Sequence, residues 1–328
     1  MFARLPDVFL RTSLALLGVA AALASPVQAQ VAYPAGQLRM VSPYPPGGGT
    51  DILARAISLK LSDALGRPVI VENRAGANGT VGAAYVARPP ADGLTMMVVP
   101  AGYAANPALY KNLPYDQARD LAPVTLLASG PLVLVVHTSV PAKTVKELIA
   151  LAKSKPGELN VGSAGSGSLP HLSAELFNLS TGVKLVHIPY KGSGAAIADL
   201  LSGQVPVYFM NILQSLQYIK AGKLRALGVT SPERSPIAPE LPAIAQEVKD
   251  FDMTNWYGLL VASSTPRELV QRVQQDVSRF LNQPDLKDRL AGEGMTVIAN
   301  TPEQFVTFLA RETAKYNRII QAAGINAE

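Results

Sequence analysis

The sequence predicts an α/β protein of about two domains, and three observations support that prediction. Short segments rich in valine and isoleucine alternate with segments of helical period along most of the chain. The last third is dominated by helical patterns. Three loops rich in glycine or serine each follow a predicted strand and precede a predicted helix. Repeated strand–helix units of this kind are typical of parallel-rich sheets with helices packed on their faces.

The first thirty residues predict export through a cleavable signal peptide. Arg4 and Arg11 lead into an apolar run at 14–24, and Val27 and Ala29 are the small residues that a signal peptidase requires, so we expect cleavage after Ala29. The apolar run is about half of the ~20 residues that span a bilayer. The chain has no cysteine, which excludes a lipoprotein anchor and disulfides. We therefore expect a periplasmic protein that its hydrophobic core alone stabilises.

The charge distribution argues against nucleic acid or a membrane surface as partner. The formal net charge is +5, and the basic residues are scattered rather than gathered in a run. This is typical of a solvated, mildly basic surface. A weak additional role is the steering of anionic ligands toward a cleft.

The first glycine loop is the most informative segment of the chain. A short apolar strand at 38–41 is stopped by two prolines, and Gly47–Gly49 then lets the backbone turn. Thr50 or Asp51 can cap the helix that follows. Free N–H groups at a helix start behind glycines form a site for a small anion, although an ordinary tight turn before a core helix has the same pattern.

The remaining elements follow in order along the chain. Strands are predicted at 68–72, 94–99, 132–136, 159–162, 184–188, 205–209, 224–229 and 256–261. Helices are predicted to start near 50 and to lie at 80–87, 145–153, 172–178, 195–201, 212–219, 266–281 and 302–323. The last two carry a proline in the first turn, and Gly324 ends the final one.

Two further loops resemble the first in composition and placement. They span 162–171 and 189–194, and each offers small residues and hydroxyls before a helix. Ligands of open α/β sheets bind beyond the carboxyl ends of the strands. Three such loops in one chain therefore favour a polar cleft for a small molecule.

Enzymatic readings find little support in the same loops. Ser166 lacks the flanking glycines of a hydrolase elbow, and neither a phosphate loop nor a complete dinucleotide fingerprint is present. His171 and Glu175 could supply two metal ligands, but no third is visible. We expect no cofactor and no metal. An exported hydrolase that uses Ser166 or Ser168 with His171 stays open as the competing class.

Eight segments of the chain carry a resemblance to a known family. They are Tyr-Pro-Pro-Gly-Gly-Gly-Thr-Asp-Ile-Leu-Ala-Arg (44–55), Gly-Arg-Pro-Val-Ile-Val-Glu-Asn-Arg-Ala-Gly-Ala-Asn-Gly-Thr (66–80), Ala-Asp-Gly (91–93), Leu-Pro-Tyr-Asp (113–116), Gly-Ser-Gly-Ser-Leu-Pro-His-Leu (165–172), Pro-Tyr-Lys-Gly-Ser-Gly (189–194), Ala-Gly-Lys-Leu-Arg-Ala-Leu-Gly-Val-Thr-Ser (221–231) and Trp-Tyr-Gly-Leu (256–259). They occur in order and span nearly the whole mature chain. Through these segments the chain resembles the Bug family of periplasmic solute receptors of tripartite tricarboxylate transporters.

The resemblance implies a two-lobed, type II-like Venus-flytrap periplasmic binding protein with its ligand cleft between the lobes. Residues 1–29 would be the signal peptide, 30–129 with 255–328 the first lobe, and 130–254 the second. The implied ligand is a small organic acid: a di- or tricarboxylate, an acidic amino acid or an aromatic acid. The implied partners are the integral-membrane permease subunits, with the receptor itself a monomer. A sensor that presents its ligand to a membrane kinase would share the same site.

Site residues are carried over by position. The first wall would contain Tyr44, Gly48, Gly49, Thr50 and Asp51, with Tyr103 and Asn106 in the loop above it. The second wall would contain Gly165, Ser166, Ser168, His171, Lys191, Gly192 and Asp199. Trp256 and Tyr257 would line the cleft where the chain crosses back, although a core position for Trp256 and an exposed helix position for Asp199 are equally compatible. Met210, where the family often has an acidic residue, would make one end of the pocket less polar.

Overall fold

The structure, a computed structural model, describes residues 32–88 and 93–325. The predicted signal peptide and its cleavage site lie outside these residues. Within the described ranges, no helix combines the length and the apolar character that crossing a bilayer requires.

Strands and helices alternate through most of the described chain, as the sequence predicts. The strands are β1 Leu38–Ser42, β2 Val69–Asn73, β3 Thr95–Pro100, β4 Leu121–His137, β5 Asn160–Ser163, β6 Val186–Pro189, β7 Val207–Asn211, β8 Leu224–Val229, β9 Thr254–Ala262 and β10 Thr296–Val297. The helices are α1 Gly49–Leu65, α2 Thr80–Val86, α3 Asn106–Leu109, α4 Val145–Ser154, α5 Leu169–Thr181, α6 Ser193–Ser202, α7 Ile212–Lys220, α8 Arg267–Leu281, α9 Pro284–Gly292 and α10 Pro302–Ala323.

One long strand joins two parallel-rich half-sheets. The strand order is β2-β1-β3-β9-β4-β7-β5-β6, with β8 and β10 also paired to β4. Up to Pro131, β4 pairs with β9, and from Leu132 onward it pairs with β7 and β8. We call β2, β1, β3, β9, β10 and the first part of β4 the first half-sheet, and the second part of β4 with β5, β6, β7 and β8 the second half-sheet. Within each half, the strands that precede the glycine loops run parallel to their neighbours.

The first half-sheet is covered on both faces. On one face α1 packs through Leu53 and Ile57 in a cluster that also contains Val273 of α8. On the other face Phe305 and Tyr316 of α10 pack in a cluster that contains Trp256 of β9. Because side chains alternate along a strand, Trp256 points into this second cluster and Tyr257 points to the α1 side.

The structure corrects two expectations from the sequence, the length of β4 and the position of Met210. The strand prediction at 132–136 captured only the end of β4, because Pro123 and two register shifts interrupt the pattern before it. The expectation that Met210 makes one end of the pocket less polar is wrong. Met210 is buried in the core of the second half-sheet together with Val133 and Ile212, so it does not line a cleft.

Candidate functional site

The first wall is the start of α1 after β1. The N-cap of this helix is Gly48, which makes no side-chain cap. The first helical hydrogen bond runs from Ile52 N–H to Gly48 O at 3.0 Å, so the preceding N–H groups point beyond the helix end. Thr50 and Asp51 lie inside the first turn, which corrects the expectation that one of them caps the helix.

Asp51 braces this loop from inside the helix. Its Oδ2 accepts from Gly47 N–H and from Arg55 Nε, both at 3.0 Å, and its Oδ1 accepts from Asn73 Nδ2 at 2.8 Å. The Arg55 hydrogen bond, helped by those from Gly47 and Asn73, lowers the pKa of the Asp51 carboxyl to about 2. Asp51 is 3 % exposed, so its carboxylate serves the chain and not a ligand.

A polar network lies beside the first wall. Tyr44 Oη donates to Asn78 Oδ1 at 3.0 Å, and Asn78 Nδ2 donates to Asn106 Oδ1 at 2.8 Å. Burial raises the pKa of Tyr44, so the phenol keeps its proton. Asn106 is 0 % and Tyr103 is 1 % exposed, which corrects the expectation that these two side chains contact a ligand. Asn78, which sequence reasoning missed, links Asn106 to Tyr44.

The second wall is the start of α5 after β5. Its N-cap is Ser168, which also makes no side-chain cap, and the first helical bond runs from Leu172 N–H to Ser168 O at 2.9 Å. Within the described part of the chain, the buried Ser168 Oγ has no hydrogen-bond partner. Ser166 is exposed on the loop. Gly165 has a φ of 129° and Gly167 one of 74°, which favours glycine at both positions.

His171 braces the second loop from the same helical position that Asp51 occupies in the first. Its Nδ1 accepts from Gly167 N–H at 3.0 Å, and its Nε2 lies 3.7 Å from Glu175 Oε1. The ring is 5 % exposed. Because Nδ1 is engaged by a backbone donor, it cannot activate Ser166 or Ser168, and the geometry gives no support to the hydrolase alternative.

His187, which the sequence did not single out for the site, completes this brace. Its ring stacks on that of His171 with centroids 3.5 Å apart and planes 10° apart. Its Nε2 lies 2.6 Å from Ser163 Oγ, which accepts from Gly165 N–H at 3.0 Å. Burial, followed by the neighbouring His171, lowers the pKa of His187 to about 4 against the opposing effect of Glu175.

The third loop is fastened to the second. Gly192 N–H donates to Ala164 O at 3.1 Å. Tyr190 Oη donates to Asp199 Oδ2 at 2.6 Å, and burial together with that carboxylate raises the pKa of Tyr190 to about 12. Asp199 thus supports the third loop through Tyr190, while Lys191 is exposed.

A cavity of about 310 Å³ is lined by residues that belong to both halves of the molecule. Gly49 and Tyr257 line it from the first half-sheet, and Asn211 and Gln214 at the start of α7 line it from the second. A side chain at Gly49 would collide with Tyr257 Oη, so glycine is required here. Asn211 and Gln214 were missed by sequence reasoning, as was Glu293, which also lines this cavity.

Trp256 does not line the cleft. It is 0 % exposed, its Nε1 donates to Glu312 Oε2 at 3.3 Å, and it packs edge-to-face on Phe305 and Phe308. This corrects the expectation of a ligand contact in favour of the core position, and Tyr257 takes the cleft position instead.

Two other observations bound the site. A larger open groove of about 1000 Å³ lies between residues 107–123 and α10, with Tyr110 and Tyr115 on its wall. The start of α1 lines the smaller cavity through Gly49 and does not line this groove, and the β5–α5 loop lines neither of the two. Among the described residues, no group of three or more histidines, aspartates or glutamates is arranged to hold a metal ion.

Comparisons with known proteins agree on one kind of molecule. The sequence model of the "Tripartite tricarboxylate transporter family receptor" matches residues 53–325. Protein BugT of Bordetella pertussis is 35% identical over 317 residues, covering 95% of this chain and 97% of its own. The structure of R. palustris Rpa4515 with adipate is 34% identical with a TM-score of 0.75, covering 90% of this chain and 100% of that one. MatC from Rhodopseudomonas palustris with bound malate is 31% identical with a TM-score of 0.71, covering 88% and 100%.

Proposed function

Since the chain belongs to the tripartite tricarboxylate transporter receptor family, we propose that it captures a small organic carboxylate in the periplasm and delivers it to a membrane permease. The family and the fold are those of solute-binding receptors and not of enzymes. Two similar proteins carry adipate and malate, both small dicarboxylates, in their structures. A carboxylate is therefore the ligand class on which the proposal rests.

The observation that carries the proposal is the pair of helix starts without side-chain caps. The N–H groups at the starts of α1 and α5 lie behind glycine-containing loops at the carboxyl ends of β1 and β5. The positive end of each helix dipole favours an anion there. Asp51 and His171 hold the two loops in shape through hydrogen bonds from Gly47 N–H and Gly167 N–H, so the donors are in place before a ligand arrives. Water can bridge any remaining gap to the carboxylate.

The proposed lobes are 30–129 with 255–328 and 130–254. The change of partners along β4 between Pro131 and Leu132, and the return of the chain at the start of β9 at Thr254, support these boundaries. Export by cleavage after Ala29 and action as a monomer belong to the same proposal. Binding would draw the walls together around the ligand, as in hinge closure of periplasmic receptors.

The proposal is tested by calorimetry on the purified protein with a panel of carboxylic acids that includes adipate and malate. The neutral dimethyl esters serve as the matched control, since they keep the carbon skeleton and remove the charge. We expect one acid per chain, recovered unchanged, and no binding of its ester. Failure of every acid to bind, or ester hydrolysis that is lost in Ser166→Ala, would contradict the proposal.

A further inference from the structure

The second loop is held by two imidazoles stacked face to face, while the first loop is held by a carboxylate. His171 Nδ1 accepts from Gly167 N–H, and His187 reaches Gly165 N–H through Ser163 Oγ. The two rings therefore fix both glycines of the loop whose donors we assign to the ligand. Such a hydrogen-bonded support is what orients a binding loop without touching its ligand.

Protonation is incompatible with one of these contacts. An imidazolium is a donor at both nitrogens, so a proton on His171 Nδ1 would point at Gly167 N–H and break that hydrogen bond. Charges on both rings would also repel each other at a centroid distance of 3.5 Å. Glu175 is the charged group that faces the pair among the described residues, and it favours protonation. Burial and ring–ring repulsion outweigh it, since they hold the pKa of His187 at about 4.

We propose that His171 and His187 are positioning residues that keep the second loop in its binding shape only while both rings are neutral, so that acid weakens carboxylate binding by releasing this loop. The idea rests on the proposed function and adds a regulation to its site. It makes the opposite prediction from a direct contact, because an imidazolium that touched the carboxylate would strengthen binding in acid.

The test compares two kinds of variant, both of which lack the imidazole ring. One kind keeps the hydrogen bond that the ring made, and the other removes it. Asparagine places its Oδ1 near the position of Nδ1, and glutamine places its amide near the position of Nε2. His171→Asn with His187→Gln thus keeps the brace and removes its titration, and His171→Ala removes the Gly167 acceptor. His137→Gln is the control, since His137 bonds Ser139 instead and lies outside the site loops.

Calorimetry with adipate and malate gives the first readout. At pH 7.5 we expect His171→Ala to weaken binding about 10-fold or more, and His171→Asn to stay within about 3-fold of the parent. Between pH 7.5 and 4.0 the parent should lose about 2-fold more affinity than the double variant, since a pKa of about 4 leaves half of His187 protonated at pH 4.0. The protonation of the acid itself cancels in this ratio, and His137→Gln should follow the parent.

Hydrogen exchange at the Gly167 amide gives a readout that needs no ligand. At pH 4.0 we expect faster exchange in the parent than in the double variant at the same pH. Three results would overturn the proposal: His171→Ala that binds like the parent, His171→Asn that binds as weakly as His171→Ala, or a parent that gains affinity in acid relative to the double variant. If no acid of the panel binds any of the proteins, the proposed function fails. Equal Gly167 exchange in the parent and the double variant would refute the brace separately.

Discussion

The two loops that we propose as walls of the ligand cleft are held by similar hydrogen bonds from different chemical groups. In each, the third residue of a helix accepts a hydrogen bond from the N–H of a positive-φ glycine four residues earlier: Asp51 from Gly47 and His171 from Gly167, both at 3.0 Å. Asp51 is further tied to Arg55 and Asn73. His171 is tied to a second imidazole. The comparison shows that each loop is hydrogen-bonded to the helix that follows it, by a carboxylate in one case and an imidazole in the other. We expect the two braces to differ in strength and in acid sensitivity for that reason.

The largest expected effect is the difference in the free energy of unfolding that is lost when each brace is removed. Asp51→Ala removes the buried carboxylate that accepts from Gly47 N–H, Arg55 Nε and Asn73 Nδ2, and we expect a loss of roughly 3 kcal/mol in the free energy of unfolding. His171→Ala removes one neutral backbone hydrogen bond and one ring contact, so we expect roughly 1–2 kcal/mol. Urea unfolding of both variants measures the difference. Equal losses, or a larger loss at His171, would show that the charge of Asp51 does not strengthen its brace.

The next effect concerns two neighbouring glycines of the first wall. A side chain at Gly49 would collide with Tyr257 Oη, whereas Gly48 has a φ of −80° and open space around the position of a Cβ. We therefore expect Gly49→Ala to weaken carboxylate binding by ~10-fold or more, and Gly48→Ala to have a clearly smaller effect. Calorimetry on both variants, after circular dichroism confirms folding, decides this. Tighter binding by Gly49→Ala than by Gly48→Ala would place the ligand elsewhere.

The smallest effect is the pH dependence of stability. The depressed pKa of His187, about 4 against ~6.5 unfolded, means that its contribution is present above pH ~6.5 and is lost as the pH falls through about 4. The contribution of Asp51, with its pKa of about 2, is present above pH ~3.9 and is lost only as the pH falls through about 2. Between pH 6.5 and 4, the melting temperature of His187→Gln should therefore fall less than that of the parent. Parallel melting curves across this range would contradict that assignment.

Sequence periodicity predicted most of the fold because the amphipathic pattern follows from burial. The long β4 was missed where Pro123 and its bulges break the alternation, and α9 gave no clear signal of its own. The glycine loops were placed correctly at the carboxyl ends of β1, β5 and β6, because turn residues there stand directly before helical patterns.

The roles of individual side chains were harder to predict. Asp51 and His171 each stand in the first turn of a helix behind a glycine loop, where a ligand contact is expected. The residue type alone does not distinguish a hydrogen bond to a ligand from one to the preceding loop. His187 meets His171 only because β6 pairs with β5, a contact that no local pattern records. Trp256 and Tyr257 differ by the face of β9, which depends on the strand's register in the sheet.

The most direct test is an amide ¹H–¹⁵N titration of the protein with the acid that it binds most tightly. If main-chain donors at both helix starts hold the carboxylates, the largest shift changes fall on the amides of Gly49 and Thr50 in α1 and of Leu169 in α5, since the N–H of Ser168 already donates to Gly165 O at 3.1 Å. Gly167 and Gly47 should change less, since their N–H groups stay bonded to His171 and Asp51. Shift changes concentrated along residues 107–123 and α10, at the larger groove, would contradict the account.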